Sequence, residues 1–336
     1  MRFLLTLFLI FQTALHGQQK DFNLIDFEKA DNIANKLEGA SLKNLPLLTY
    51  NLTNDLKTDV EKFRAIYLWV CTNIENDYAS YIRTKNKRKK IKKSNTSFLA
   101  WNKSYTPKMF RRLVNDKKTA CTGYAYLIKG MANLAGLQCE IVNGFGRVLN
   151  ADLNIKSAPN HSWNAIQLQQ KWYLCDATWS AGTFIINEDI PVFKKNFVNG
   201  YFLTSPEYFK RNHYPIDKKW LLSNPNYKFE DFLAEPLLYK DAFEFGTYPI
   251  TPNKMKISLN KESAFEMIVQ SEKKLVKEMF QFTHNDGNKS KTIIPEVEVI
   301  KNGYLLRHQF QFKGTYDLHL NLNKKPLATY VIKVTK

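Results

Sequence analysis

Cys121, His161 and Asp176 stand in three local settings that together suit thiol acyl-transfer chemistry. Cys121 lies in Thr119-Ala120-Cys121-Thr122-Gly123-Tyr124-Ala125, which opens an apolar segment running to Gly136. His161 lies in Asn160-His161-Ser162-Trp163-Asn164-Ala165, at the start of a strand-like run. Asp176 lies in Trp172-Tyr173-Leu174-Cys175-Asp176-Ala177-Thr178-Trp179, a second run just after a short polar turn. A thiol is a strong nucleophile only as thiolate, so it needs a base within reach and a group that fixes that base. Taken singly, each residue has a plainer explanation. A buried cysteine is usually a small hydrophobe, as expected of Cys71, Cys139 and Cys175. A histidine before a tryptophan is often a satisfied core residue, and an aspartate at a strand end is often a cap. Together the three make a Cys-His-Asp site.

The elements needed to bring them together are also visible. Cys121, Ala125, Ile128, Ala132 and Ala135 recur at three- and four-residue steps, one face of a helix that Gly136 would stop. Cys121 then falls in the first turn, where unpaired N–H groups and the positive dipole end favour a thiolate and can hold an oxyanion. Downstream, Trp163–Ala165 and Trp172–Leu174 flank Gln169-Gln170-Lys171, which reads as a hairpin turn. A turn centred between Leu168 and Gln169 sets His161 opposite Asp176. A slip of one residue would put the two side chains on opposite faces. Gly144 and Gly146 in the preceding strand suggest a bulge or a close backbone approach beside the site.

The chain resembles the transglutaminase-like superfamily of the papain-like group, in the branch that includes the kyphoscoliosis peptidase and cytokinesis proteins. The resemblance rests on Cys121-x-Gly123-Tyr124-Ala125, Gly144-Phe145-Gly146-Arg147, His161-x-Trp163-Asn164 and Asp176-Ala177-Thr178-Trp179. Tyr67-x-Trp69-Val70 and Asp77-Tyr78 extend it upstream; Tyr201-Phe202-Leu203, His213-x-Pro215 and Trp220-Leu221-Leu222 extend it downstream. It implies Cys121 as nucleophile, His161 as general base and acid, and Asp176 as the orienting carboxylate. The family usually places Gly and a β-branched residue before the cysteine, where this chain has Thr119-Ala120, a difference that bears on the acyl pocket's shape. His213 is expected in a loop with a structural role near the domain edge.

Around these motifs the 336 residues are ample for two domains, with 44% hydrophobic and 14% aromatic residues. Met1-Arg2 and the apolar stretch Phe3–Phe11 read as a signal peptide cleaved near Gly17, and no later segment is apolar enough to be transmembrane. An exported protein, periplasmic or extracellular, follows as an expectation. Export makes disulfides possible; Cys139 and Cys175 could pair across neighbouring strands, or all three cysteines besides Cys121 could be buried thiols. The net charge is +18, and Arg83–Lys93 holds eight basic residues and no acid. The simplest reading of that run is a solvated, mobile loop; the functional one is a tether to an anionic surface such as lipopolysaccharide, acidic glycan or an acidic protein substrate. It lacks interleaved aromatics, and no specific nucleic-acid binding is expected.

The expected fold class is therefore α+β: a papain-like transglutaminase core with Cys121 at a helix N-terminus and His161 and Asp176 on antiparallel strands. An all-β immunoglobulin-like sandwich follows, with about seven short strands after Leu237. The expected boundaries are residues 1–17 for the signal, 18–228 for the transglutaminase-like domain and 237–336 for the sandwich. His284, His308 and His319 are read as surface or edge residues, since no metal-like spacing links them. No zinc motif, phosphate loop or paired-carboxylate arrangement occurs, so no cofactor and no metal are expected. The function expected is acyl transfer on the amide bonds of a protein or peptide, by hydrolysis or transamidation. The alternative is a catalytically silent scaffold or binding module of the cell envelope.

Overall fold

The computed structural model describes residues 19–91, 94–149, 151, 153–188, 190–285 and 290–335. The expected signal peptide, Lys92 and Lys93, and the turn at residues 286–288 lie outside these.

The helical layer comprises α1 (Glu28–Lys36), α2 (Leu45–Thr53) and α3 (Asp59–Asn73). A capping box starts α3: Thr58 accepts from the Glu61 N–H while Glu61 accepts from the Thr58 N–H. After the short strand β1 (Glu75–Asn76) come α4 (Tyr78–Lys90) and α5 (Asn95–Asp116), the latter with Pro107 inside it. The basic run is thus mostly helix, not the mobile loop expected of it. Like-charge repulsion did not prevent this, because Asp77 caps the N-terminus and the cations crowd the favourable C-terminal end. Strand β2 (Lys118–Thr119) pairs with β1 in parallel and delivers the chain to α6 (Cys121–Leu134), the helix read from the apolar period. Gly136 closes it in the left-handed region at φ 80°.

The central sheet is antiparallel, in the order β5-β4-β3-β8, from β3 (Cys139–Gly146), β4 (His161–Leu168), β5 (Lys171–Cys175) and β8 (His213–Pro215). Between β5 and β8 lie α7 (Ala177–Ala181) and the hairpin β6 (Gly182–Asn187) with β7 (Ile190–Lys195). Gln169 and Gln170 adopt φ of 49° and 64°, so the β4–β5 turn has two residues and Leu168 pairs with Lys171. The turn is centred one residue later than the sequence spacing implied. His161 consequently does not sit opposite Asp176, which lies beyond the end of β5 as the N-cap of α7. The correction moves the register by two residues, an even number, so the facing of every side chain is kept.

Strand β4 is buried along nearly its whole length. Ile166 and Leu168 join the core under α3 and α6, whereas Trp163 and Ala165 face a second core shared with the C-terminal sheets. There, β10 (Thr247–Thr251), β12 (Phe265–Ser271), β16 (Gly303–His308) and β15 (Glu296–Ile300) form one sheet. The other runs β11-β18-β17-β13-β14: Lys256–Asn260, Lys325–Thr335, Gly314–Leu322, Phe280–Asn285 and Ser290–Ile293, with β9 (Leu237–Leu238) also on β18. Met267, Leu306, Phe282, Leu320 and Ile332 meet between them, so the C-terminal region is an all-β sandwich. One histidine differs from expectation: His284 is buried against Phe310 and Tyr316. Among the described residues no helix is long and apolar enough to cross a membrane.

Candidate active site

Cys121 is the first residue of α6, after Ala120 in extended conformation. The Ala120 carbonyl takes the N–H groups of Gly123 and Tyr124 and so closes the first turn. Gly123 has no alternative here: a Cβ would lie 1.8 Å from the Thr119 hydroxyl oxygen. The glycines of β3 answer to the same pressure. A Cβ on Gly146 would stand 3.0 Å from the His161 ring and from Trp179, and one on Gly144 would strike the Trp163 indole and the Tyr214 carbonyl. The close approach suggested by these glycines is present, and the β3–β4 register runs unbroken.

His161 begins β4, its ring stacked on Trp179 at 5.0 Å between centroids. Its Nε2 is 2.6 Å from Asp176 Oδ2, which leaves Nδ1 for the Cys121 thiol, with which the ring is hydrogen-bonded. Asp176 Oδ1 accepts the N–H groups of Thr178 and Trp179, at 2.8 and 3.2 Å. The same carboxylate therefore caps a helix and faces a base: the plain role and the chemical one coincide.

Burial would raise the Asp176 carboxyl, but His161 and His213 outweigh it and hold the group well below the usual carboxylate range. Burial likewise opposes a charged His161, yet Asp176 and Cys121 bring it up to about 9. The Cys121 thiol, pushed up by burial, is drawn down to about 7 by the hydrogen bond and charge of His161 and by Arg88. With the imidazole titrating above the thiol, deprotonation of the sulfur gives a thiolate–imidazolium pair from near neutral pH upward. Burial drives the other cysteines the opposite way, Cys139 to about 12 and Cys71 and Cys175 well above their ordinary range. All four are free. Cys139 and Cys175 are not on neighbouring strands: they flank β4, opposite Ile166 and Asn164, and two strand spacings of about 4.8 Å exceed disulfide reach.

Two participants escaped the sequence reading. His213 is not in a loop: it lies on β8, the edge strand of the central sheet, opposite Gly146, completely buried, with Nε2 3.0 Å from Asp176 Oδ2. Its Nδ1 is 2.7 Å from Asn212 Oδ1, and burial pulls it down to about 4. The motif His213-x-Pro215 was its only trace. Arg88 was hidden in the basic run, although Ser80, Thr84 and Arg88 are spaced as one helix stripe; its Nη2 lies 3.0 Å from both Thr122 Oγ1 and Ser162 Oγ. His161, Asp176 and His213 also make the one set of potential metal ligands among the described residues. Their shared oxygen at 2.6 and 3.0 Å has the spacing of two N–H donors, and both protons would have to leave before an ion with bonds of about 2.0–2.1 Å could enter.

The site thus sets a thiol at the start of α6 with an imidazole at the start of β4 and a carboxylate just past the end of β5. Residues 47–177, on this α+β core, match the transglutaminase-like superfamily. Among similar proteins, kyphoscoliosis peptidase of Homo sapiens is 30% identical over 212 residues, 62% of this chain and 29% of its own length. Hillarin of Drosophila melanogaster is 22% identical over 235 residues, 67% and 26% respectively. Cytokinesis protein 3 of Saccharomyces cerevisiae is 35% identical over 98 residues, 28% and 11%. The chain thus spans under a third of the length of these relatives. A solved transglutaminase is similar at a TM-score of 0.27 and 15% identity, over 48% of this chain and 35% of that one.

Proposed function

We propose that the protein is an exported cysteine-dependent acyl-transfer enzyme acting on amide bonds of proteins or peptides. The observation that carries this reading is the unbroken contact from Asp176 through His161 to Cys121, the one thiol of four drawn down toward neutrality. In this reaction the Cys121 thiolate adds to the amide carbonyl. The oxyanion is held by the Cys121 backbone N–H, one of the donors a helix start leaves without an intrahelical partner. The His161 imidazolium then gives its proton to the leaving amine as the C–N bond breaks, leaving a thioester on sulfur. Water returns the free acid and a peptidase or amidase results; a lysine amine instead gives a new amide and a transamidase. Asp176 keeps the His161 Nε2 proton in place throughout.

A second reading, a silent scaffold, has its own support: Cys121 is only 5% exposed and His161 6%. A stoichiometric thiol probe followed by peptide mapping decides between them. An enzyme should be labelled at Cys121 at neutral pH, lose that labelling in His161→Ala, and release amine from a protein amide substrate. A Cys121 no faster than a free thiol, with no amine released, would establish the scaffold.

A further inference from the structure

Helix α4 lies beside the buried thiol, within electrostatic reach of it through Arg88 and Tyr81, and this helix is unusual for a core-packing element. Its buried residues are Ser80, Thr84 and Arg88, four apart on one stripe and all polar. Apolar burial is what normally fastens a helix to a core. Apart from the Tyr78 ring on Phe184, the fastening is hydrogen bonding, chiefly Arg88 on Thr122 and Ser162, the immediate chain neighbours of Cys121 and His161. Such bonds are exchanged for bonds to water on release, so their net hold is small. The rest of its circumference presents Arg83, Lys87, Lys89 and Lys90 to solvent.

We propose that α4 is a detachable cover over Cys121, and that its cationic outer face docks an acidic polypeptide whose binding lifts it. A ligand shifts an equilibrium only by preferring one state. That preference is built in. With the cover down, the Arg88 guanidinium is turned inward and only 1% exposed; with it lifted, Arg88 joins Lys87 and Lys89 as a further cation for a carboxylate. An acidic polypeptide fits better than a membrane, because a helix lying in a bilayer surface needs an apolar face and the stripe behind these cations is polar. The inference rests on the functional reading for the importance of Cys121, but its geometry does not.

The test uses the full chain and measures two quantities that need no turnover: the rate of Cys121 alkylation by iodoacetamide, and amide hydrogen exchange in α4 and α6. Poly-glutamate should raise the alkylation rate roughly tenfold and speed exchange in α4 but not α6. The effect should fade with salt and disappear in the triple variant Lys87→Gln, Lys89→Gln, Lys90→Gln. Unchanged alkylation, or α4 amides as protected as those of α6 with poly-glutamate present, overturns the cover. Activation by phosphatidylserine vesicles or single-stranded DNA but not by poly-glutamate overturns the choice of partner. A chain whose Cys121 opens on cue yet cleaves and transfers no amide sinks the proposed chemistry and leaves the cover standing.

Discussion

His161 is stacked on Trp179, hydrogen-bonded to a carboxylate through one nitrogen and to a thiol through the other. Because Asp176, ahead of Cys121, is what lifts it to about 9, the pH dependence of the sulfur reports on the carboxylate. Alkylation of Cys121 should rise through a midpoint near 7, not at the ordinary 9.0, and amide turnover should decline again as the imidazolium is lost above about 9. In Asp176→Asn the alkylation midpoint should move up and turnover fall by roughly 10²–10⁴. A midpoint unmoved by that change would remove Asp176 from the chemistry. His213 allows a stability test. Its folded value of about 4 lies below the ordinary 6.5, so below 6.5 the unfolded chain takes up this proton first. Stability should drop as pH falls from 6.5 to 4, by up to about 1.4 kcal/mol per unit from this group. His213→Phe should be less stable at neutral pH yet show a shallower acid slope, read from urea midpoints at two pH values.

At the scale of elements, Gly146→Ala and Gly144→Ala should separate chemistry from folding. The first brings a methyl against the His161 ring, so turnover should fall sharply while the thermal midpoint moves little. The second meets the Tyr214 carbonyl at 2.2 Å, a backbone atom that cannot rotate away; β8 must shift, at a cost on the order of 1–3 kcal/mol. These elements also mark how far the sequence could be read. The helix under Cys121 was visible because its period is local, and so was the strand pair that carries His161 and leads to Asp176. The turn was misplaced by one residue because two glutamines take left-handed backbone, which their composition does not advertise. His213 and Arg88 reach the site from 37 and 34 residues away, by packing alone, and no local pattern encodes such an approach.

At the scale of the molecule, the central sheet serves two cores at once, with α3 and α6 on one face and the β-sandwich on the other. Unfolding should therefore be a single transition, the same by tryptophan fluorescence and by far-ultraviolet dichroism. Trp163→Ala, in the shared core, should lower stability by about 3–5 kcal/mol and bring both probes down together. Two separated transitions would show that the sandwich folds as its own unit. The strand that carries the imidazole is thus a party wall between two rooms. Transplanting the reactive chamber onto another carrier would tear that wall's far side open, so whatever gene rearrangement moves this chemistry must carry the neighbouring room along with it.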